Sequence, residues 1–182
     1  MAVKTFTTEV LTSADTNTYL ANSGLVYVKS HTITSGTSVV VTDAFSSTYD
    51  NYRIVVSNGV TTSNAAISLQ LGPTSVSGYN TSYYSSTIYA SYAGGAPLNA
   101  NVNNGSTWTY SGYGWTGNGI FLAVELGGPN LAKFTSVNNG YSGSDGATTN
   151  GYHASTSQFT GFTLAGLTFT SGTVTVYGYR KA

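Results

Sequence analysis

Alternation of apolar and polar residues at a period of two governs what this chain can fold into. Tyr52, Ile54 and Val56 alternate with Arg53, Val55 and Ser57, and Ile67, Leu69 and Leu71 alternate with Ser68 and Gln70. Ile120, Leu122, Val124 and Leu126 share one parity, as do Val174 and Val176. Successive side chains of a strand point to opposite faces, so each run predicts a strand with one buried face. Gly-containing dipeptides punctuate the runs: Asn58-Gly59, Asn104-Gly105, Asn118-Gly119, Asn139-Gly140, Asp145-Gly146 and Asn150-Gly151. Glycine reaches the positive φ that tight hairpins need, so each is predicted as a turn. The run GGPN at 127–130 predicts a longer loop between two apolar strands. Between Phe162-x-Leu164 and Leu167-x-Phe169 the phase slips by one residue, which predicts a β-bulge at Gly166. The stretch from Pro73 to Asn118 alternates weakly and is predicted as long loop excursions. About eight strands without helical crossovers predict an all-β antiparallel β-sandwich over residues 25–182. A jelly roll is the preferred version, with an immunoglobulin-like sandwich as the alternative.

One stretch breaks the pattern. TSADTNTYLANSG, residues 12–24, reads as a short helical turn. Thr12 and Asp15 fit a weak capping box, Asp15 suits the positive end of the helix dipole, and Gly24 can take the left-handed conformation that ends a helix. A helix this short persists only when packed on something. Residues 1–24 are therefore read as an attachment segment, with Phe6, Leu11, Tyr19 and Leu20 as its apolar docking side chains.

Charge sets the next limit. Only 7% of the 182 residues are charged, against roughly 25% in typical soluble domains, and the formal net charge is zero. Such a chain has no basic field for nucleic acid and no acidic field for a basic partner. A polar, uncharged, Gly- and Tyr-rich surface suits burial against copies or neighbours. Cysteine is absent, which excludes disulfides and thiolate metal sites. MAVKTFTTEV lacks the apolar core of a signal peptide, and no apolar run is long enough to span a membrane, so the expected route is synthesis in a cytoplasm without membrane insertion.

No motif assembles a catalytic or cofactor site. Gly112, Gly114 and Gly117 in GYGWTG match the dinucleotide fingerprint, but the following NGIFLAVEL reads as a strand where a helix N-terminus would have to hold the pyrophosphate. His31 and His153 are isolated and lack metal-ligand spacing. The six carboxylates are scattered, though Asp43 and Asp50 flank AFSSTY and could face each other across a turn, as a glycosidase pair would need to do in a cleft. The strongest anomaly is aromatic. Tyr83, Tyr84, Tyr89, Tyr92, Trp108, Tyr110, Tyr113 and Trp115 crowd a segment rich in Ser, Gly and Asn, which fits a ligand-recognition surface for protein or sugar. The competing reading makes them cross-strand pairs or a subunit interface.

FTTEVLTSADTNTYL resembles the N-terminal signature of tailed-bacteriophage structural proteins at Phe6, Val10, Leu11, Thr12, Asn17, Tyr19 and Leu20, departing at Asn22-Ser23. AFSSTYDNYRIVVSNG, AISLQLGPTSVSGYNTSYY and the closing FTSGTVTVYGYRKA are similar to their strand and loop units. The resemblance implies a non-enzymatic jelly-roll virion protein, homotrimeric, exposed as a tail fibre or other appendage. It would contact other virion proteins and a host surface glycan, without cofactor or metal. A capsid decoration protein and a carbohydrate-active enzyme are the alternatives.

Overall fold

The computed structural model describes residues 24–72, 79–143 and 145–181. These form twelve strands and no helix. The strands are β1 (Leu25–Thr32), β2 (Gly36–Val41), β3 (Asn51–Thr61), β4 (Ala65–Gly72), β5 (Tyr83–Ser91), β6 (Leu98–Gly105), β7 (Trp108–Trp115), β8 (Gly119–Phe121), β9 (Ala123–Gly127), β10 (Thr135–Ser142), β11 (Asp145–His153) and β12 (Gly161–Tyr179). Strand β1 starts where the attachment segment was expected to end. The helical turn and its docking residues Phe6, Leu11, Tyr19 and Leu20 lie outside the described residues. Gly24 does take a positive φ, of 98°.

All strand pairs are antiparallel, and one strand joins them. The first part of β12 lies between β2 and β4, pairing Phe162 with Val41 and Leu71. Its second part lies between β1 and β3, pairing Val176 with Lys29 and Ile54. From β4 the sheet continues to β7 and β8, and from β3 it continues through β9, β10, β11 and β5 to β6. The result is a strongly curled half-barrel.

The expected bulge at Gly166 is the corner of this arrangement. The residue has a φ of 106°, and the register of β12 against β2 shifts between Ala165 and Phe169. A Cβ at Gly166 would sit 2.6 Å from the Ala66 carbonyl oxygen. Phe162 and Leu164 before it, and Leu167 and Phe169 after it, are all buried. The extra residue thus lets apolar pairs on both sides of the corner enter one core.

That core is where the period predicted it. Tyr52, Ile54, Ile67, Leu69, Leu71, Val124, Leu126, Val174 and Val176 are buried. Burying each such side chain contributes roughly 1.5–3 kcal/mol. Tyr52 also closes the loop before β3, since its hydroxyl accepts the Ser46 N–H at 2.8 Å and donates to the Ser46 carbonyl at 2.8 Å.

Two expectations fail for identifiable reasons. Residues 73–118 hold three strands, β5, β6 and β7, where loop excursions were expected. The inward positions of β5 include Ser85 and Thr87, both buried, so the usual alternation is hidden by a polar interior. Thr87 and Thr149 share a 2.8 Å hydrogen bond, and the Thr149 hydroxyl and the Asn139 amide both donate to the Tyr110 carbonyl across the curl, each at 3.0 Å. Among the glycine dipeptides, Asn118-Gly119 closes the β7–β8 turn and Asp145-Gly146 adjoins the β10–β11 turn. Asn139-Gly140 and Asn150-Gly151 lie inside continuous ladders, and Asn58-Gly59 and Asn104-Gly105 lie at register shifts within strands. Glycine serves there for close approach: a Cβ on Gly59 would lie 2.7 Å from Ile120 Cβ.

Replacing Gly166 by Ala should cost about 2 kcal/mol or more, because it imposes a strained φ and a backbone collision together. Urea unfolding should show a lower midpoint with an unchanged slope. An unchanged midpoint would remove Gly166 as the corner on which the curl depends.

Candidate functional site

The eight aromatic residues singled out in the sequence do not form one surface. Tyr83 and Trp108 are fully buried and pack edge to face at 5.1 Å. This corrects their assignment as ligand contacts: they are core. The Tyr83 hydroxyl accepts the Leu71 N–H at 2.7 Å, and burial pushes its phenol far above the ordinary value, opposed by that hydrogen bond. Tyr89, Tyr110 and Tyr113 are half-buried. Tyr89 stacks on Tyr110, and Tyr113 stacks on Tyr141, a residue the sequence reading missed. Burial, followed by the charges of Tyr110 and Asp145, pushes the Tyr141 phenol up to about 12. Tyr92 is exposed beyond the end of β5, and Trp115 is half-buried at the end of β7.

Tyr84 alone points to a different place. The register puts it directly across from Tyr152, and the two rings stack at 5.0 Å with an 11° interplanar angle. Phe134 stacks on Tyr152 in turn, at 5.9 Å and 7°. Phe134 and Tyr152 are 54% and 43% exposed, so this three-ring ladder faces solvent. The rings are parallel and stacked on one another, so a ligand meets their edges and the outer faces of the two end rings.

The ladder borders a groove of about 580 Å³ on the convex side of the sheet. One row of paired residues across this face runs Tyr84, Tyr152, Ser136, Gly127 and Asn51. The next runs Asn101, Ser86, Asn150, Asn138, Glu125, Arg53, Tyr177 and Tyr27. Groove residues drawn from these rows include Asn51, Glu125, Ser136, Asn138 and Asn150, with Tyr179 at one end. Gly127 forms its notch, because a Cβ there would collide with Ser136 Oγ. A second groove of about 740 Å³ carries on past Val55, Ala123, Gly140 and Thr148.

Glu125 is held in place from two sides. Arg53 Nη1 contacts its Oε1 at 3.1 Å, and the Tyr179 hydroxyl donates to its Oε2 at 2.7 Å. The hydrogen bond to Glu125, followed by burial, raises the Tyr179 phenol above its ordinary value. A carboxylate so fixed still has lone pairs for a ligand hydroxyl. It is the one carboxylate lining this groove. Of the pair suggested as glycosidase acids, Asp50 bridges to Lys181 at 2.8 Å, while Asp43 is exposed with a φ of 51°. Among the described residues no group of His, Cys, Asp and Glu could hold a metal ion. GYGWTG belongs to β7 and the turn after it, so no helix N-terminus is present for a dinucleotide.

The sequence reading missed Tyr152, Phe134 and the amide row. The signal was strand pairing: Tyr152 and Phe134 lie far from Tyr84 in sequence, and only the β5–β11–β10 register brings them together.

His153 sits beneath this face, fully buried, with Tyr79, Tyr83 and Phe159 packed on it edge to face. Its Nε2–H donates to the Thr81 carbonyl at 3.0 Å, while Nδ1 has no partner among the described residues. Burial holds its pKa below the usual 6.5, opposed by the Thr81 hydrogen bond. Between that lowered value and 6.5 the unfolded chain binds a proton that the folded chain refuses, so stability falls as pH drops through this window. The melting temperature should therefore fall between pH 7 and 5. His153→Gln should lower it at pH 7 yet flatten the fall, as read by calorimetry. Parallel pH curves for the two proteins would exclude His153 as the cause.

The chain matches no family model, curated protein or solved structure, so the reading of this site rests on its own geometry.

Proposed function

We propose that this chain is a non-enzymatic structural protein of a tailed-bacteriophage particle, a surface-exposed tail fibre or appendage that binds a neutral host-surface glycan. In this reading the curled sheet is a jelly-roll sandwich, with the arms on either side of β12 as its two layers. The protein works as a homotrimer, and residues 1–24 dock it to other virion proteins. The observation that carries the binding role is the exposed Tyr84–Tyr152–Phe134 ladder beside a groove lined by amides and hydroxyls. Sugar rings present C–H faces that stack on aromatics, and their hydroxyls match Asn side chains that both donate and accept. The Arg53–Glu125 pair cancels its own charge, which leaves the groove suited to a neutral ligand. A capsid decoration protein would need a broad, flat contact face, and an aromatic ladder at the rim of a groove supports the appendage reading over it.

An array of neutral oligosaccharides tests the binding role. Replacing Tyr152 by Ala removes the central ring of the ladder, and a contact aromatic of this kind is worth about 2 kcal/mol, or roughly a thirtyfold loss of affinity. The melting temperature should change little, since an exposed cross-strand pair contributes about 0.2–1 kcal/mol. No binding by the wild type, or undiminished binding by the variant, would overturn the assignment. Docking is tested separately. Deleting residues 1–22 should leave the sheet folded by circular dichroism while abolishing incorporation into particles, and normal incorporation would refute it.

A further inference from the structure

We propose that the β7–β8 turn is a site of spontaneous covalent modification, where Asn118 loses its side-chain amide and becomes aspartate or isoaspartate. The step needs only water. The main-chain nitrogen of Gly119 attacks Asn118 Cγ, the new N–Cγ bond closes a five-membered succinimide, and the Cγ–Nδ2 bond breaks. Ammonia leaves with the proton that the glycine nitrogen gives up. Water then opens the ring at either carbonyl. One opening yields aspartate. The other yields isoaspartate, which routes the main chain through the former side chain and lengthens it by one carbon. A following glycine favours the attack, because no Cβ blocks the approach and its backbone rotates freely.

The sequence offers this chemistry at Asn58-Gly59, Asn104-Gly105, Asn118-Gly119, Asn139-Gly140 and Asn150-Gly151, and the fold restrains all but one of them. Asn139 is buried, and its amide donates to the Tyr110 carbonyl at 3.0 Å. Gly151 lies between paired strands, opposite Val137 and Ser85, so the peptide after Asn150 is held from both sides. Asn104 Oδ1 accepts the Ser82 N–H at 3.0 Å, and Gly105 pairs with Tyr83. Asn58 is exposed, but Gly59 is buried and packed closely by Ile120 and Gly172.

Asn118 is the exception. It is exposed in the turn, between Gly117 and Gly119, whose φ values are 75° and 104°. Its N–H donates to the Trp115 carbonyl at 3.0 Å, while its side chain has no hydrogen-bond partner among the described residues. A Cβ on Gly119 would meet nothing closer than the Gly59 carbonyl oxygen, at 3.4 Å. An exposed turn flanked by two glycines reorients at little cost, so the nitrogen and Cγ can meet while the pair Gly114–Ile120 beyond it stays closed. Residues 54–124 contain no Asp, Glu, Lys, Arg or His, so the product places the first charge in this stretch. The isoaspartate form also lengthens the turn that sets the register of β8, a strand of three residues whose Ile120 packs on Gly59.

This inference is independent of the proposed function, and peptide mapping tests it. The full chain is incubated at mildly alkaline pH, digested at intervals and read by mass spectrometry. The peptide holding Asn118 should exchange amide for carboxyl, as a mixture of aspartate and isoaspartate. It should do so about tenfold or more faster than peptides holding Asn58, Asn104, Asn139 or Asn150, because those sites must first open locally. In concentrated urea, where no fold selects among the sites, the rates should converge. Asn118→Gln, which would have to close a larger ring, should lose the fast acidic product. Asn118 keeping its amide as long as the other sites, or another Asn-Gly losing it first in the folded chain, would overturn the proposal. The same margin persisting in urea would overturn it too, since the fold would then not be what selects the site.

Discussion

Strand β12 is hydrogen-bonded along both edges and changes both partners at Gly166. Before the corner it holds β2 and β4, and after it β1 and β3. Among the described residues no other strand pairs with members of both arms, although the chain also crosses between them where β8 runs into β9 through Leu122. The buried residues on either side of the corner, Leu164 and Phe169, have no exposed surface left. A packed interior tolerates little change in geometry, which makes the angle of the corner a property of the whole core.

The two arms solve the problem of burial differently. Around β3, β4 and β12 the interior is aliphatic and aromatic. Between β5, β10 and β11 it contains Thr87, Thr149 and Asn139, which bond to one another or to the Tyr110 carbonyl of β7. Buried polar groups need such partners; the Thr149 and Asn139 bonds to Tyr110 reach across the curl, the Thr87–Thr149 bond joins neighbouring strands, and Ser85 Oγ and Asn139 Oδ1 have no partner among the described residues. This polar interior lies behind the wall whose outer surface carries the aromatic ladder and the groove. Two stacked contacts and a clamped carboxylate then need little rearrangement to receive a ligand, which limits the entropic cost of binding.

Much of the fold was legible because the aliphatic half obeys a simple period. The runs at Tyr52–Val56 and Ile67–Leu71 and the slip at Gly166 fall where the residues indicated, while the run Ile120–Leu126 keeps its buried parity but is divided at Leu122 between β8 and β9. The β5–β7 region was not legible, because Ser85 and Thr87 face inward and carry no apolar signal. The glycine dipeptides misled for a related reason. A turn and a close backbone approach both require glycine, and sequence does not say which neighbour Gly59 or Gly151 will meet. The members of the aromatic segment divide between core, rim and surface. Tyr83 and Tyr84 are adjacent in sequence and end on opposite sides of the sheet, as strand geometry demands. Choosing the outward one requires the phase of β5, which its polar inner face conceals.

The position of β12 in the chain has a kinetic consequence. It is the last of the twelve strands to be synthesised, yet it supplies the shared neighbour for β1, β2, β3 and β4. Until it emerges, those strands have no common template, and the uncharged stretch between β3 and β9 waits without closure of the curl. Pairings between distant segments form slowly, and unpaired strands awaiting them are prone to associate with other chains. Productive folding is therefore a race between delivery of β12 and encounters among copies that still lack it.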